Sequence, residues 1–187
     1  LNYGANVFLT DVNQKKLSIL KKHPQYNKKL FIKKVKANNA KEVLKYFVDT
    51  KKKVRSVDAL INNVGIAGPT GNIENLDIEE WKNTIDVNIN SHFYFSKYSI
   101  PLLKKNGGSI INLSSTAGLF GFPLRTPYAA IGCFFRQTTI HTKARSGFFT
   151  CEFSRWRPKS ILFITLLLTS RNVSYPAICR TITVNIT

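Results

Sequence analysis

The chain has 187 residues, 43% hydrophobic and 20% charged, which is enough apolar material for one ordinary core and therefore one domain. No apolar run reaches the roughly 18 residues of a membrane-crossing helix; the longest candidate spans 161–168, and the first residues lack the charged start and apolar middle of a secretory signal. Membrane and secreted proteins are thus disfavoured and a cytoplasmic location is expected. The formal charge of +18 would suit an acidic partner such as nucleic acid. Eighteen of the twenty lysines, however, lie between Lys15 and Lys105, many at the spacing of exposed helical faces. With no basic-aromatic alternation and no zinc-ligand spacing, a solvated surface is preferred over a nucleic-acid site.

In chain order, residues 5–11 and 30–37 read as strands, 40–53 as a helix, and 58–61 as a buried strand running into Asn62-Asn63. Residues 77–97 read as one helix with an apolar stripe of Ile78, Trp81, Ile85, Ile89 and Phe93, ended or kinked by Pro101. Residues 109–113 form another buried strand. Such alternation predicts an α/β protein with a parallel sheet. The pattern changes near Ala130. Up to that residue there are 18 Lys, 2 Arg and 9 acids; beyond it there are 2 Lys, 6 Arg and the single acid Glu152. Cys133, Cys151 and Cys179 fall in this last part, with no metal-ligand spacing, so no metal site is expected. The runs Phe134-Phe135, Phe148-Phe149 and 161–168 carry no sustained period. Asn172-Val173-Ser174 and Asn185-Ile186-Thr187 match the glycosylation pattern without an export signal. Residues 131–187 are therefore read as an aberrant or unassigned tail, sequence foreign to the fold such as a frame change or an unspliced segment, in preference to a second, poorly patterned domain.

Four features before Ala130 carry chemistry. Asp11 ends a strand, where a carboxylate accepts hydrogen bonds from both ribose hydroxyls of NAD and repels the 2′-phosphate of NADP; it reads equally well as a turn or helix-capping Asp. Asn62-Asn63-Val64-Gly65 follows a buried strand, at the end of the sheet where ligands bind, and Gly65 permits close backbone approach. An Asn-rich turn is the plain alternative. Asn88 interrupts the apolar stripe, and a buried amide there needs partners. Ser115 ends the next strand, and Tyr128 follows thirteen residues later. A serine hydroxyl holding a carbonyl while a tyrosine exchanges a proton with it is general acid–base chemistry for ketone reduction or alcohol oxidation.

Together, Asn62-Asn63-Val64-Gly65, Asp86-Val87-Asn88, Ser109-Ile110-Ile111-Asn112-Leu113-Ser114-Ser115 and Pro127-Tyr128-Ala129-Ala130 resemble the classical short-chain dehydrogenase/reductase family over residues 1–130. The resemblance implies a Rossmann-like doubly wound parallel sheet, here a fragment, and NAD(P)-dependent hydride transfer to or from a small-molecule carbonyl or alcohol. In it Asn88 anchors a relay water, Ser115 polarises the carbonyl and Tyr128 is the acid–base. Asn62, Asn63 and Gly65 belong to the cofactor side, Asp11 selects NAD over NADP, and Arg125 borders the substrate, where an ordinary surface arginine is an equal reading. A homo-oligomer is also implied, with its interface compromised by the tail.

Three departures qualify this. The family's opening strand and Gly-rich phosphate turn have no counterpart before Asp11, so the sheet is expected to be split where that strand would stand. The family's lysine four residues after the tyrosine is replaced by Gly132. Bringing a free phenol from near ~10 to about 7 takes roughly 4 kcal/mol, and Arg136, about 12 Å further along a helix, is no substitute. Lys36 stands where an Asp near the adenine is usual. The chain as written is expected neither to bind NAD tightly nor to turn over. A non-catalytic basic binding protein or an inactive homologue on the same scaffold is the alternative.

Overall fold

The computed structural model describes residues 5–115, 117–137 and 181–185. The apolar runs at 148–149 and 161–168, both glycosylation patterns as wholes, and Cys151 and Cys179 lie outside them. Five parallel strands form one sheet: β1 (Asn6–Asp11), β2 (Leu30–Lys34), β3 (Ala59–Asn62), β4 (Ser109–Asn112) and β5 (Thr181–Asn185), in the order β2-β1-β5-β3-β4. The helices are α1 (Gln14–Leu20), α2 (Ala40–Lys53), α3 (Ile78–Ile85), α4 (Ser91–Leu103), α5 (Ala117–Phe120) and α6 (Thr126–Gln137).

Local signals start the main helices. Asn39 accepts hydrogen bonds from the backbone of Lys41 and Glu42 to open α2, and Asp77 accepts from Glu80 to open α3. Side chains alternate across a strand, so β1 feeds two cores. Phe8 joins Val43, Tyr46 and Phe47 of α2 and Phe95, Leu102 and Leu103 of α4 on one face, while Leu9 packs with Leu17 of α1 and Leu30 on the other. Helices therefore cover both faces, which is the doubly wound arrangement. Phe47 and Phe95 meet edge-on at 5.6 Å between ring centres, a favoured aromatic geometry.

The expected split in the sheet does not occur. Thr181–Asn185 lies between β1 and β3 and pairs with both, Val7 to Thr10 facing Ile182 to Asn185 and Ala59 to Asn62 facing the same four residues. From β1 the chain moves outward to β2, then crosses to β3 and outward again to β4, so the direction of winding reverses across β5. Its carboxyl end marks the crevice at which open α/β sheets bind ligands. At that end Thr10, Asn185, Asn62 and Asn112 share one register row. The buried Asn62 amide spans part of it, donating to Asn112 Oδ1 at 2.8 Å and to Ser96 Oγ of α4 at 3.1 Å.

The single helix expected over 77–97 is broken. Between α3 and α4, residues Asp86–Asn90 form one π-helical turn, closed by Ser91 N–H donating to the Asp86 carbonyl, and α4 runs through Pro101 to Leu103. The expected stripe is not the buried face: Ile78 is 68% and Phe93 57% exposed. The face turned inward carries Thr84, Asn88, Ser91, His92, Phe95, Ser96 and Ser99. Its hydroxyls are buried because Thr84, Ser91 and Ser99 return hydrogen bonds to the backbone carbonyls of Glu80, Val87 and Ser96. Strand β2 stops at Lys34 rather than 37, and β4 is half-buried rather than buried.

If β5 is an integral central strand, proline at position 183 removes a ladder donor in mid-sheet. Thr183→Pro is expected to lower unfolding stability by at least about 1–3 kcal/mol, read from urea denaturation, whereas a strand that did not pair would tolerate it.

Candidate active site

Along the carboxyl edge of the sheet, the loop after β3, the π turn, the end of β4 and the start of α6 enclose a cavity of about 200 Å³. Its wall includes Asn63, Gly65, Asn88, His92, Ser115, Tyr128 and Gly132. The structure thus brings together Asn63, Gly65, Asn88, Ser115 and Tyr128 from four separate segments. Asp11, Asn62 and Arg125 do not line this cavity. Asp11 is buried at 4% exposure, and its Oδ1 accepts from Asn13 N–H at 2.7 Å, the turn-holding arrangement. Asn62 is wholly buried beneath the loop. The Arg125 guanidinium lies 5.7 Å from the Phe122 ring centre.

Asn88 organises the site. Its Oδ1 accepts from Ile66 N–H at 2.7 Å and its Nδ2 donates to the Ile66 carbonyl at 2.9 Å, so both side-chain polar atoms serve one residue. Gly65 lies against this amide: a Cβ there would sit 3.6 Å from Asn88 Oδ1. Gly68, with φ of +69°, turns the loop under Thr84, whose Oγ1 a Cβ would meet at 2.6 Å.

Ser115 and Tyr128 enter from the other side. Ser115 Oγ accepts from Ala117 N–H at 3.2 Å, which orients the hydroxyl at the start of α5. Tyr128 stands in the first turn of α6, just after Pro127, a position where proline suits a helix. Ser114 Oγ donates to the Gly132 carbonyl at 3.0 Å and ties α6 back to the end of β4. At Gly132 itself the helices touch backbone to backbone. A Cβ there would lie 2.7 Å from both Cα and N of Gly118, so this packing of α5 against α6 excludes a side chain at position 132. Among the described residues no lysine or arginine lines the cavity.

Two participants escape a reading of the sequence. His92 is buried in the wall, with Nε2 2.9 Å from the Val64 carbonyl; burial holds its pKa down to about 4 against that hydrogen bond. Its signal was only a histidine four residues after Asn88, one helical turn on. Gly118 became visible only through its contact with Gly132.

The cavity, about 200 Å³, is smaller than the about 300–1,000 Å³ of a typical ligand pocket. Two hydroxyls and a closely approachable Gly65 loop suit a flat ring and a carbonyl. Among the described residues no cluster of His, Cys, Asp and Glu is placed to hold a metal ion, and no helix is long and apolar enough to cross a membrane.

A doubly wound parallel sheet with serine, tyrosine and asparagine gathered at its carboxyl edge is the architecture of the dinucleotide-fold class. The model of the short chain dehydrogenase family matches residues 1–138, and the chain belongs to that family. It is 45% identical over 75 residues to trans-4-hydroxycyclohexanecarboxylate dehydrogenase of Sinomonas cyclohexanicum, covering 40% of this chain and 29% of that protein. It is 36% identical over 131 residues to an uncharacterized oxidoreductase of Thermotoga maritima, covering 67% of this chain and 50% of the relative. The closed form of serine dehydrogenase complexed with NADP+ superposes with a TM-score of 0.67 at 28% identity, over 73% of this chain and 54% of that one. The chain thus spans half or less of the length of these curated relatives.

Two outcomes test the site as built. Asn88→Ala strands the N–H and carbonyl of Ile66 and is expected to cost at least about 2 kcal/mol in urea unfolding. Because the folded pKa of His92 lies below the ordinary 6.5, its contribution is complete above pH 6.5 and is lost as pH falls toward 4. Between these limits stability should fall by about 3 kcal/mol, and His92→Phe should flatten that part of the pH profile.

Proposed function

We propose that the cavity is the hydride-transfer site of an NAD(P)-dependent oxidoreductase acting on a carbonyl or secondary alcohol. The observation that carries this reading is the convergence of Asn88, Ser115 and Tyr128, distant in sequence, on one cavity at the carboxyl edge of the sheet. When bound, the nicotinamide supplies or accepts the hydride. In the reducing direction the Ser115 hydroxyl donates a hydrogen bond to the substrate carbonyl oxygen, and the Tyr128 phenol delivers its proton to that oxygen as the carbon gains hydride. Oxidation of an alcohol reverses both. Asn88 keeps the Ile66 backbone in place beside the ring. A relay water at Asn88 would bond its main chain, since Ile66 takes both side-chain atoms.

Asn63 and Gly65 hold the nicotinamide end in this reading. Asp11, at the end of β1, favours NAD over NADP in this reading, its second oxygen accepting from the ribose hydroxyls, in contrast to the serine dehydrogenase neighbour, which is complexed with NADP+. Turnover by this chain is slow, because the contact between Gly132 and Gly118 leaves no room for a cationic side chain one turn after Tyr128. A cytoplasmic location and homo-oligomeric assembly belong to the same proposal.

Titration calorimetry of the full chain with each dinucleotide tests it. NAD+ is expected to bind weakly and NADP+ about tenfold more weakly still, with Asp11→Ala removing the difference. Tyr128→Phe should leave binding intact while lowering oxidation of trans-4-hydroxycyclohexanecarboxylate by about 100-fold or more. Absence of binding by either dinucleotide at millimolar concentration would overturn the reading.

A further inference from the structure

One buried titratable side chain in the cavity wall has no part in the chemistry above. His92 is 4% exposed, begins the buried face of α4 beside Ser91, and shares the cavity with Ser115 and Tyr128. Its Nε2 lies 2.9 Å from the Val64 carbonyl. A carbonyl only accepts, so Nε2 carries the proton and donates it. Residues four apart share a helical face, and Asn88 and His92 meet the same loop from one side. Asn88 takes Ile66 through both its N–H and its carbonyl, and His92 takes Val64. Gly65 lies between the two holds.

We infer that His92 is a positioning residue: through its Nε2–H bond to the Val64 carbonyl, it sets the height at which the Gly65 backbone meets a ligand in the cavity. The division of labour explains why a polar ring is buried here. Both polar atoms of the Asn88 amide are engaged with Ile66, and the Val64 carbonyl takes its donor from His92. An apolar ring at position 92 would fill the same space without a donor and remove this hold on the Val64 carbonyl beside Gly65. The identity of that ligand rests on the function proposed above, whereas the loop contact itself does not.

Two variants separate the ring from its donor. His92→Phe keeps a ring without the N–H, and His92→Gln restores an amide N–H without the ring. Amide hydrogen exchange at residues 64–66 is followed in each, beside exchange in α2 as a gauge of global stability, together with NAD+ affinity by calorimetry. The expected result is faster exchange at 64–66 in His92→Phe with α2 unchanged, about tenfold weaker NAD+ binding, and recovery of both in His92→Gln. If the two variants behave alike, whether like the parent or equally impaired, the donor has no positioning role and the inference fails. Should the parent chain bind no NAD+, the proposed function fails separately, and the exchange comparison still decides the role of His92.

Discussion

Both polar atoms of one buried side chain, Asn88, are committed to the backbone of Ile66, and much of the site's geometry follows from that pair of bonds. They join the loop leaving β3 to the π turn that opens α4. Burying an amide is costly when it is unpaired. With both atoms satisfied, the cost is offset only if loop and helix hold one relative position, so the pair acts as a gauge for the gap between them. Along the same face of α4, Ser96 receives the Asn62 amide and Phe95 enters the aromatic core with Phe47. A helix so located cannot slide without breaking polar and apolar contacts together.

The sheet supplies the second constraint. A parallel sheet is stable when it is continuous and covered on both faces, and β5 provides that continuity between β1 and β3. The row of Thr10, Asn185, Asn62 and Asn112 at its carboxyl end is polar where a buried parallel sheet is usually apolar. The outer edge is managed differently. Strand β2 carries Lys33 and Lys34, and charged residues on an edge discourage pairing with another chain. Lys33 is held by Asp49 of α2, and the Lys53 ammonium lies 4.7 Å from the Phe31 ring centre, so part of the basic surface covers the edge of the core.

How far the sequence disclosed this depends on the range of each signal. Helix α2 was legible in full because its cap at Asn39 and its lysine-rich end are local. Asn63, Gly65 and Ser115 were legible as positions just past strand ends, which lie along one edge of a parallel sheet, whereas Asn88 and Tyr128, on helical segments, joined them only through the family resemblance. The inward face of α3 and α4 was not, because small hydroxyl residues bonded to their own helix do not register as apolar, whereas the conspicuous Ile78 and Phe93 point to solvent. A π turn leaves no compositional mark. Strand β5 was hidden by distance: its partners are about 120 to 175 residues earlier in the chain, and five residues carry no periodicity that specifies a central position. His92 was missed for a related reason, since its role exists only through the Val64 carbonyl.

The proposed function has the ligand bind in the cavity at the carboxyl edge and not on the basic surface. Amide chemical-shift mapping of the isotopically labelled chain during titration with NAD+ tests this most directly. Shifts are expected to concentrate at Gly65, Ile66, Asn88, Ser115 and Gly132, with the lysine-bearing residues of α1 and α2 little changed. Shifts confined to those lysines, abolished by salt as for a polyanion on a charged surface, would contradict it.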